Sequence, residues 1–210
     1  LGAGGVSRET KFSLALKVFE HTAAYDALIA SYLREQSGAE RFPETLTLTY
    51  ERVQKLRYGE NPHQSAAFYR EIGRHQNTLD AAEQLHGKEL SYNNINDANG
   101  ALDTLKEFGG ERPCAVGVKH ANPCGVGVGD TIYEAYMRAY EADPVSIFGG
   151  IVALNRPVDL KTAEELGKIF LEIIIAPDYE PDALKHLEKK KNIRLLRLPG
   201  CFMPNTDRMM

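Results

Sequence analysis

Apolar residues recur every three to four positions at the start of this chain, then every second position, and after that the two periods alternate. Residues 8–20 follow Ser7, an N-cap candidate, and place Phe12, Leu16 and Phe19 at helical spacing. A second helix is expected from Thr22, because Tyr25, Leu28, Ile29, Tyr32 and Leu33 form an i, i+3, i+4, i+7, i+8 stripe. Such a stripe needs a partner surface, so these helices are expected to close another domain. Turn residues from Ser37-Gly38 to Pro43 read as a linker. Beyond it, Thr45-Leu-Thr-Leu-Thr-Tyr50 alternates with period two and reads as a strand with one buried face.

Four later helices are expected at 97–108, 131–141, 159–170 and 181–190. Strands are expected at 114–118, at 145–154 with an interruption at Gly149-Gly150, at 172–176 and at 193–198. Strands alternating with helices of this length imply βαβ units. The fold class is therefore α/β, a largely parallel sheet flanked by helices and preceded by a helical segment. The run Glu188-Lys189-Lys190-Lys191 closes the last helix, where cations complement the negative end of its dipole, and reads as a solvated terminus.

Composition narrows the function classes. The chain has 210 residues, 43% hydrophobic and 26% charged, as in ordinary globular proteins, and is long enough to bury a substantial core. A net charge of -4 argues against nucleic acid as a partner, although a local basic site remains able to hold a phosphate. No apolar run is long enough to span a bilayer and no signal peptide is evident, so the expected location is cytoplasmic. Three cysteines, Cys114, Cys124 and Cys201, lack Cys-x-x-Cys spacing and are expected to be reduced thiols. The chain opens on Leu1 and closes on 204–210 without a capped element, which reads as a piece of a longer protein.

The segment Gly117-Val-Lys-His-Ala-Asn-Pro-Cys-Gly125 is the richest in candidate chemistry. Lys119 and His120 follow an apolar run where a buried strand would open into a loop, and open α/β sheets bind ligands outside the carboxyl ends of their strands. Histidine exchanges protons near neutral pH, so His120 is a candidate base and Lys119 a candidate stabiliser of negative charge. A solvated lysine beside a strand-end histidine would give the same dipeptide. Arg57-Tyr-Gly-Glu-Asn-Pro-His-Gln64 is dense in hydrogen-bonding side chains: Arg57 suits a phosphate or carboxylate, and Tyr58 offers a ring face and a hydroxyl. The structural alternative is a turn shaped by Gly59 and Pro62. In Ser91-Tyr-Asn-Asn-Ile-Asn-Asp97, one of Asn96 and Asp97 would cap the following helix, leaving the other amides for a ligand or for turn backbone. Phe148, ahead of Gly149-Gly150, is either core or a stacking surface.

His120-Ala with Pro123-Cys124 partly matches the H-x-E…P-C-x-x-C signature of zinc deaminases, but Asn122 replaces the glutamate, the second cysteine is missing and the spacing is far too short. A zinc site is not expected, since the ligand count fails.

Taken together, Arg57-Tyr-Gly-Glu-Asn-Pro-His-Gln64, Tyr92-Asn-Asn-Ile-Asn-Asp-Ala98, Val118-Lys-His-Ala-Asn-Pro-Cys-Gly125, Asp143-Pro-Val-Ser-Ile-Phe-Gly-Gly150 and Ile174-Ile-Ala-Pro177 resemble, in order, the bifunctional purine biosynthesis family that combines AICAR transformylase with IMP cyclohydrolase. Lys17-Val-Phe-Glu-His-Thr-Ala-Ala-Tyr-Asp26 is similar to the helical end of its cyclohydrolase domain. The resemblance implies that residues 1–40 end that domain and that 41–210 begin a transformylase domain of cytidine-deaminase-like fold without catalytic metal. It implies formyl transfer from 10-formyltetrahydrofolate to the 5-amino group of AICAR, in a homodimer whose other activity closes the product to IMP. His120 would take the amine proton and Lys119 would stabilise charge on the formyl oxygen. Arg57, Tyr58, Asn94, Phe148 and Gly149 match substrate-binding positions, and Glu172 stands where an aspartate contacts AICAR. A fragment of this extent is expected to be weak or inactive alone. A non-catalytic nucleotide- or anion-binding α/β domain is the competing reading.

Overall fold

A computed structural model describes residues 5–40, 42–73 and 76–204 of the chain. Two compact units result: the described part of the first covers 5–40, 42–51 and 71–73, and that of the second covers 52–70 and 76–204.

The first unit is dominated by one helix, α1 (Arg8–Ser37), where two were expected. Nothing around His21 breaks a helix: there is no proline or glycine, and Thr22 places its hydroxyl on the Phe19 carbonyl (3.4 Å) without leaving helical geometry. Ser7 caps the start through Thr10 N–H. Gly38, at φ 62°, ends the helix and returns its N–H to the Arg34 carbonyl. Ala27 is the buried residue of α1, and the apolar residues that suggested the helices, among them Phe12, Phe19, Tyr25 and Tyr32, are exposed. The expected strand at 45–50 begins only at its last residue, since the ladder runs along β1 (Tyr50–Leu56), which pairs with β2 (Ala66–Glu71). Alternation reports an extended chain; the pairing partner decides which part becomes a strand, and Leu46 and Leu48 stay exposed.

The second unit is built on a six-stranded mixed sheet. In chain order come β3 (Glu83–His86), α2 (Tyr92–Lys106), β4 (Cys114–Lys119), β5 (Asn122–Val128), α3 (Ile132–Ala142), β6 (Ile151–Leu154), α4 (Leu160–Leu166), β7 (Ile173–Ala176), α5 (Pro181–Glu188) and β8 (Arg194–Arg197). Across the sheet the order is β3-β8-β7-β6-β4-β5. Strands β6, β7 and β8 are parallel, joined through α4 and α5, whereas β3, β4 and β5 add antiparallel. Successive side chains enter opposite cores: Val152, Leu154, Ile174 and Ala176 meet α3, α4 and α5, while Ile151, Ala153, Ile173 and Ile175 meet α2. Burial on both faces explains why these strands read as unbroken apolar runs.

Several boundaries move for identifiable reasons. Helix α2 starts at Tyr92 rather than at 97, because Ser91, not Asn96 or Asp97, is its cap: Ser91 Oγ accepts from Asn94 N–H (3.2 Å) and Asn94 Oδ1 accepts from Ser91 N–H (3.1 Å). Residues 145–150 form a turn rather than half a strand, with Asp143 Oδ1 accepting from the N–H groups of Val145 and Ser146. Helix α4 stops at Gly167, short of 170. Strand β5 escaped the pattern because Pro123, Gly125 and Gly127 depress strand propensity, yet it occupies a sheet edge, where proline is tolerated.

Burial pushes the Cys114 thiol up to about 11 and that of Cys201 up to about 12. At pH 8 about one in a thousand Cys114 thiols would be the reactive thiolate. Labelling with a thiol reagent under native conditions is therefore expected to modify half-buried Cys124 first, and Cys114 and Cys201 only once the chain unfolds. Prompt native labelling of all three would contradict this packing.

Candidate active site

One row of paired residues crosses the sheet: Val118 of β4 opposite Ile151 of β6, Ile151 beside Ile173 of β7, and Ile173 beside Arg194 of β8. The residues just beyond this row, at the end of β4 and immediately ahead of β6 and β7, share one end of the sheet. They are Lys119, Gly149-Gly150 and Glu172, next to Arg194 itself. Because β4 runs against β6, its carboxyl end lies beside the amino ends of the parallel strands, not beside their carboxyl ends as open α/β sheets usually place a site.

The backbone ladder continues into this group and fixes it. Glu172 N–H donates to the Gly150 carbonyl (2.9 Å), Arg194 N–H to the Glu172 carbonyl (3.0 Å), and Gly149 N–H to the Phe170 carbonyl (2.8 Å). Gly149 sits at φ 74°, a left-handed conformation that glycine reaches without strain. Phe148 is 56% exposed and tilts against Phe170 with ring centroids 5.7 Å apart, so it forms surface rather than core. Its carbonyl accepts from Lys119 Nζ (2.8 Å), which fixes the ammonium over this corner.

Asn94, only 5% exposed, reaches the same corner from the first turn of α2 and donates through Nδ2 to Glu172 Oε2 (2.7 Å). Arg194 Nη1 lies 3.4 Å from the same oxygen. Both contacts fall on Oε2, so the carboxylate is held by one edge. Three charged or polar groups far apart in sequence thus form one cluster.

His120 tops the turn between β4 and β5, and both it and Ala121 are left-handed, at φ 53° and 57°. Two non-glycine residues in that region store backbone strain of about 1–3 kcal/mol each, which the surroundings must offset. The imidazole is exposed and adjacent to Lys119 in the chain. Cys124, four residues on, is half-buried; its thiol is raised chiefly by burial, which does not suit a nucleophile.

Arg57 and Tyr58 sit on a separate loop that binds itself together. Gly59 N–H donates to the Gln64 carbonyl (2.9 Å), Gln64 N–H to the Asn61 carbonyl (3.0 Å) and Asn61 N–H to Gln64 Oε1 (2.8 Å). The Arg57 guanidinium carbon is 5.9 Å from the centre of the Tyr58 ring and remains exposed. Among the described residues no hydrogen bond joins this loop to the Lys119–Glu172 cluster. Sequence reasoning missed Arg194 and Phe170. For Arg194 a signal existed, since a charged residue opening an apolar strand of a parallel sheet needs a partner.

Comparison with known proteins supplies the context. The bifunctional purine biosynthesis protein PurH of Acetivibrio thermocellus is 65% identical over 193 residues, covering 92% of this chain and 37% of that protein. Those of Ruminiclostridium cellulolyticum and Listeria monocytogenes are 63% and 64% identical over 196 residues, covering 93% of this chain and 38% of each relative. The chain thus spans well under half the length of these relatives. Residues 1–209 match the family described as AICARFT/IMPCHase bienzyme, and the chain belongs to that family.

Proposed function

We propose that the chain carries the first part of an AICAR transformylase site, which moves a formyl group from 10-formyltetrahydrofolate to the 5-amino group of AICAR in de novo purine biosynthesis. The complete bienzyme would also close the product to IMP. Residues 1–40 would end the cyclohydrolase part and 41–210 begin the transformylase part. The protein would act as a cytoplasmic homodimer, with no helix among the described residues long and apolar enough to cross a membrane. The observation that carries the reading is the convergence of Lys119, Gly149, Glu172 and Asn94 at one end of the sheet, in a chain that matches this family almost end to end.

The amine of AICAR is conjugated with its ring and is a weak nucleophile. In the proposed step it attacks the formyl carbon, forming a C–N bond while the carbonyl oxygen gains negative charge. His120 accepts the amine proton, and Lys119 stabilises the oxygen. Collapse breaks the bond to the folate nitrogen, which leaves with the proton returned from His120. Glu172 presents the carboxylate oxygen not used by Asn94 and Arg194 to a hydrogen-bond donor of AICAR. Gly149 lets backbone approach the substrate closely, and Phe148 offers an exposed ring for stacking. Arg57, backed by Tyr58, supplies a forked cation for the anionic end of the nucleotide.

The test uses a complete bienzyme carrying this segment, made by exchanging it for the matching part of the Acetivibrio thermocellus relative. Arg57→Ala there is expected to raise the KM for AICAR about 10- to 100-fold with kcat nearly unchanged, as loss of a charged hydrogen bond that serves binding alone. An unchanged KM would remove Arg57 from the site.

A further inference from the structure

The turn that carries His120 is held from outside itself. A two-residue hairpin turn with positive φ at both positions ordinarily uses Asn-Gly or a similar pair, and here it is His-Ala. Helix α2 supplies what the turn's own residues lack. Asp97 Oδ1 accepts from Ala121 N–H (2.9 Å) and Asp97 Oδ2 from His120 N–H (3.3 Å), so one carboxylate binds both left-handed residues. Gly100, one turn further along the same helix face, comes so near that an added Cβ would stand 3.2 Å from the Ala121 carbonyl oxygen. Asn122 closes the other side by donating Nδ2 to the His120 carbonyl (2.7 Å). Asp97 lies beyond the first turn of α2, whose cap is Ser91, so its carboxylate has no capping duty.

We propose that Asp97 is a positioning residue for formyl transfer, holding the β4–β5 turn in the conformation that presents the His120 imidazole beside Lys119. This rests on the reading of His120 as the proton acceptor. Without the carboxylate the turn relaxes out of the left-handed region and the imidazole loses its fixed position, while the groups that bind AICAR through Asn94, Glu172 and Arg57 keep theirs.

Two readouts separate this role from a general contribution to folding. In the chain itself, Asp97→Ala is expected to speed amide hydrogen exchange at residues 120 and 121 about tenfold or more, with the rest of β4 protected as before. In the complete bienzyme carrying this segment, the same substitution is expected to lower kcat about 10- to 100-fold, with the KM for AICAR within about threefold. Adding Ala121→Gly should recover much of the loss, because glycine holds a positive φ without the carboxylate. Asp97→Asn keeps the shape and one acceptor oxygen and should fall between, which preserves the test if Asp97→Ala does not fold. Wild-type exchange at 120 and 121, or a wild-type kcat in a protein whose His120→Ala variant is slow, would overturn the proposal. A wild-type rate for His120→Ala would instead overturn the formyl-transfer reading on which it rests.

Discussion

His120→Ala in the complete bienzyme carrying this segment is expected to lower kcat for formyl transfer by about 10²–10⁴-fold while leaving the KM for AICAR within about threefold. The magnitude is that of a lost general base facing an amine too weak to attack unaided. The near-constant KM follows from geometry: His120 stands on an exposed hairpin turn, whereas the proposed anchors come from elsewhere, Asn94 from α2, Glu172 from just ahead of β7 and Arg57 from its own loop. Lys119→Ala should cost a similar amount, about 10²–10³-fold, as removal of one preorganised charge from a developing oxyanion. The double variant should be little worse than the poorer single one, because the two groups act on the same transition state and their effects do not add. The check is steady-state kinetics with both substrates varied. A parallel rise in KM and fall in kcat for His120→Ala would place the histidine in substrate binding instead.

Gly127→Ala is expected to destabilise the fold by about 3 kcal/mol or more, at the upper end of what overpacking does. Strand β5 lies against α3 through glycines at alternate positions. A Cβ on Gly127 would stand 2.1 Å from the Ala135 carbonyl oxygen and 2.6 Å from the Ala139 nitrogen, and one on Gly125 would stand 2.0 Å from the Ala139 carbonyl oxygen. These neighbours are helix backbone, so relief requires moving α3 itself. Val126→Ala, on the opposite face against the α2 core, removes packing from a half-buried site and should cost only about 1–2 kcal/mol. Adding one methyl at 127 should therefore do more harm than removing two carbons at 126. Denaturant unfolding of the two variants measures the comparison, and the reverse order would show that α3 does not seat on β5 in this way.

Positions 125 and 127 also show where the sequence was legible and where it was not. Strands buried on both faces declared themselves as apolar runs, and β7 and β8 fall within two residues of the expected bounds. Strand β5 did not, because the feature that makes it fit, the absence of side chains toward α3, is the feature that lowers its strand propensity. Helix α2 began early because Ser91 and Asn94 form a reciprocal cap, a signal present in the sequence but masked by the asparagines that follow it. At the candidate site, Lys119 and His120 stood out by their place after an apolar run, whereas Glu172 was picked out only through the family resemblance. Their assembly depends on the antiparallel pairing of β4 with β6, and no local pattern encodes which strands become neighbours. The partners of Asp97 and Arg194 were hidden for the same reason, since each meets its partner only when elements distant in sequence are brought together.

AICAR is expected to bind at this end of the sheet. Calorimetric titration of AICAR into the complete bienzyme carrying this segment, beside its Arg57→Ala variant, measures that without requiring turnover. We expect saturable binding that the substitution weakens about 10- to 100-fold, equivalent to losing one charge-assisted contact. Equal affinity in the two proteins would remove Arg57 from the site, and no saturable binding in a folded wild-type protein would contradict the proposed AICAR site itself.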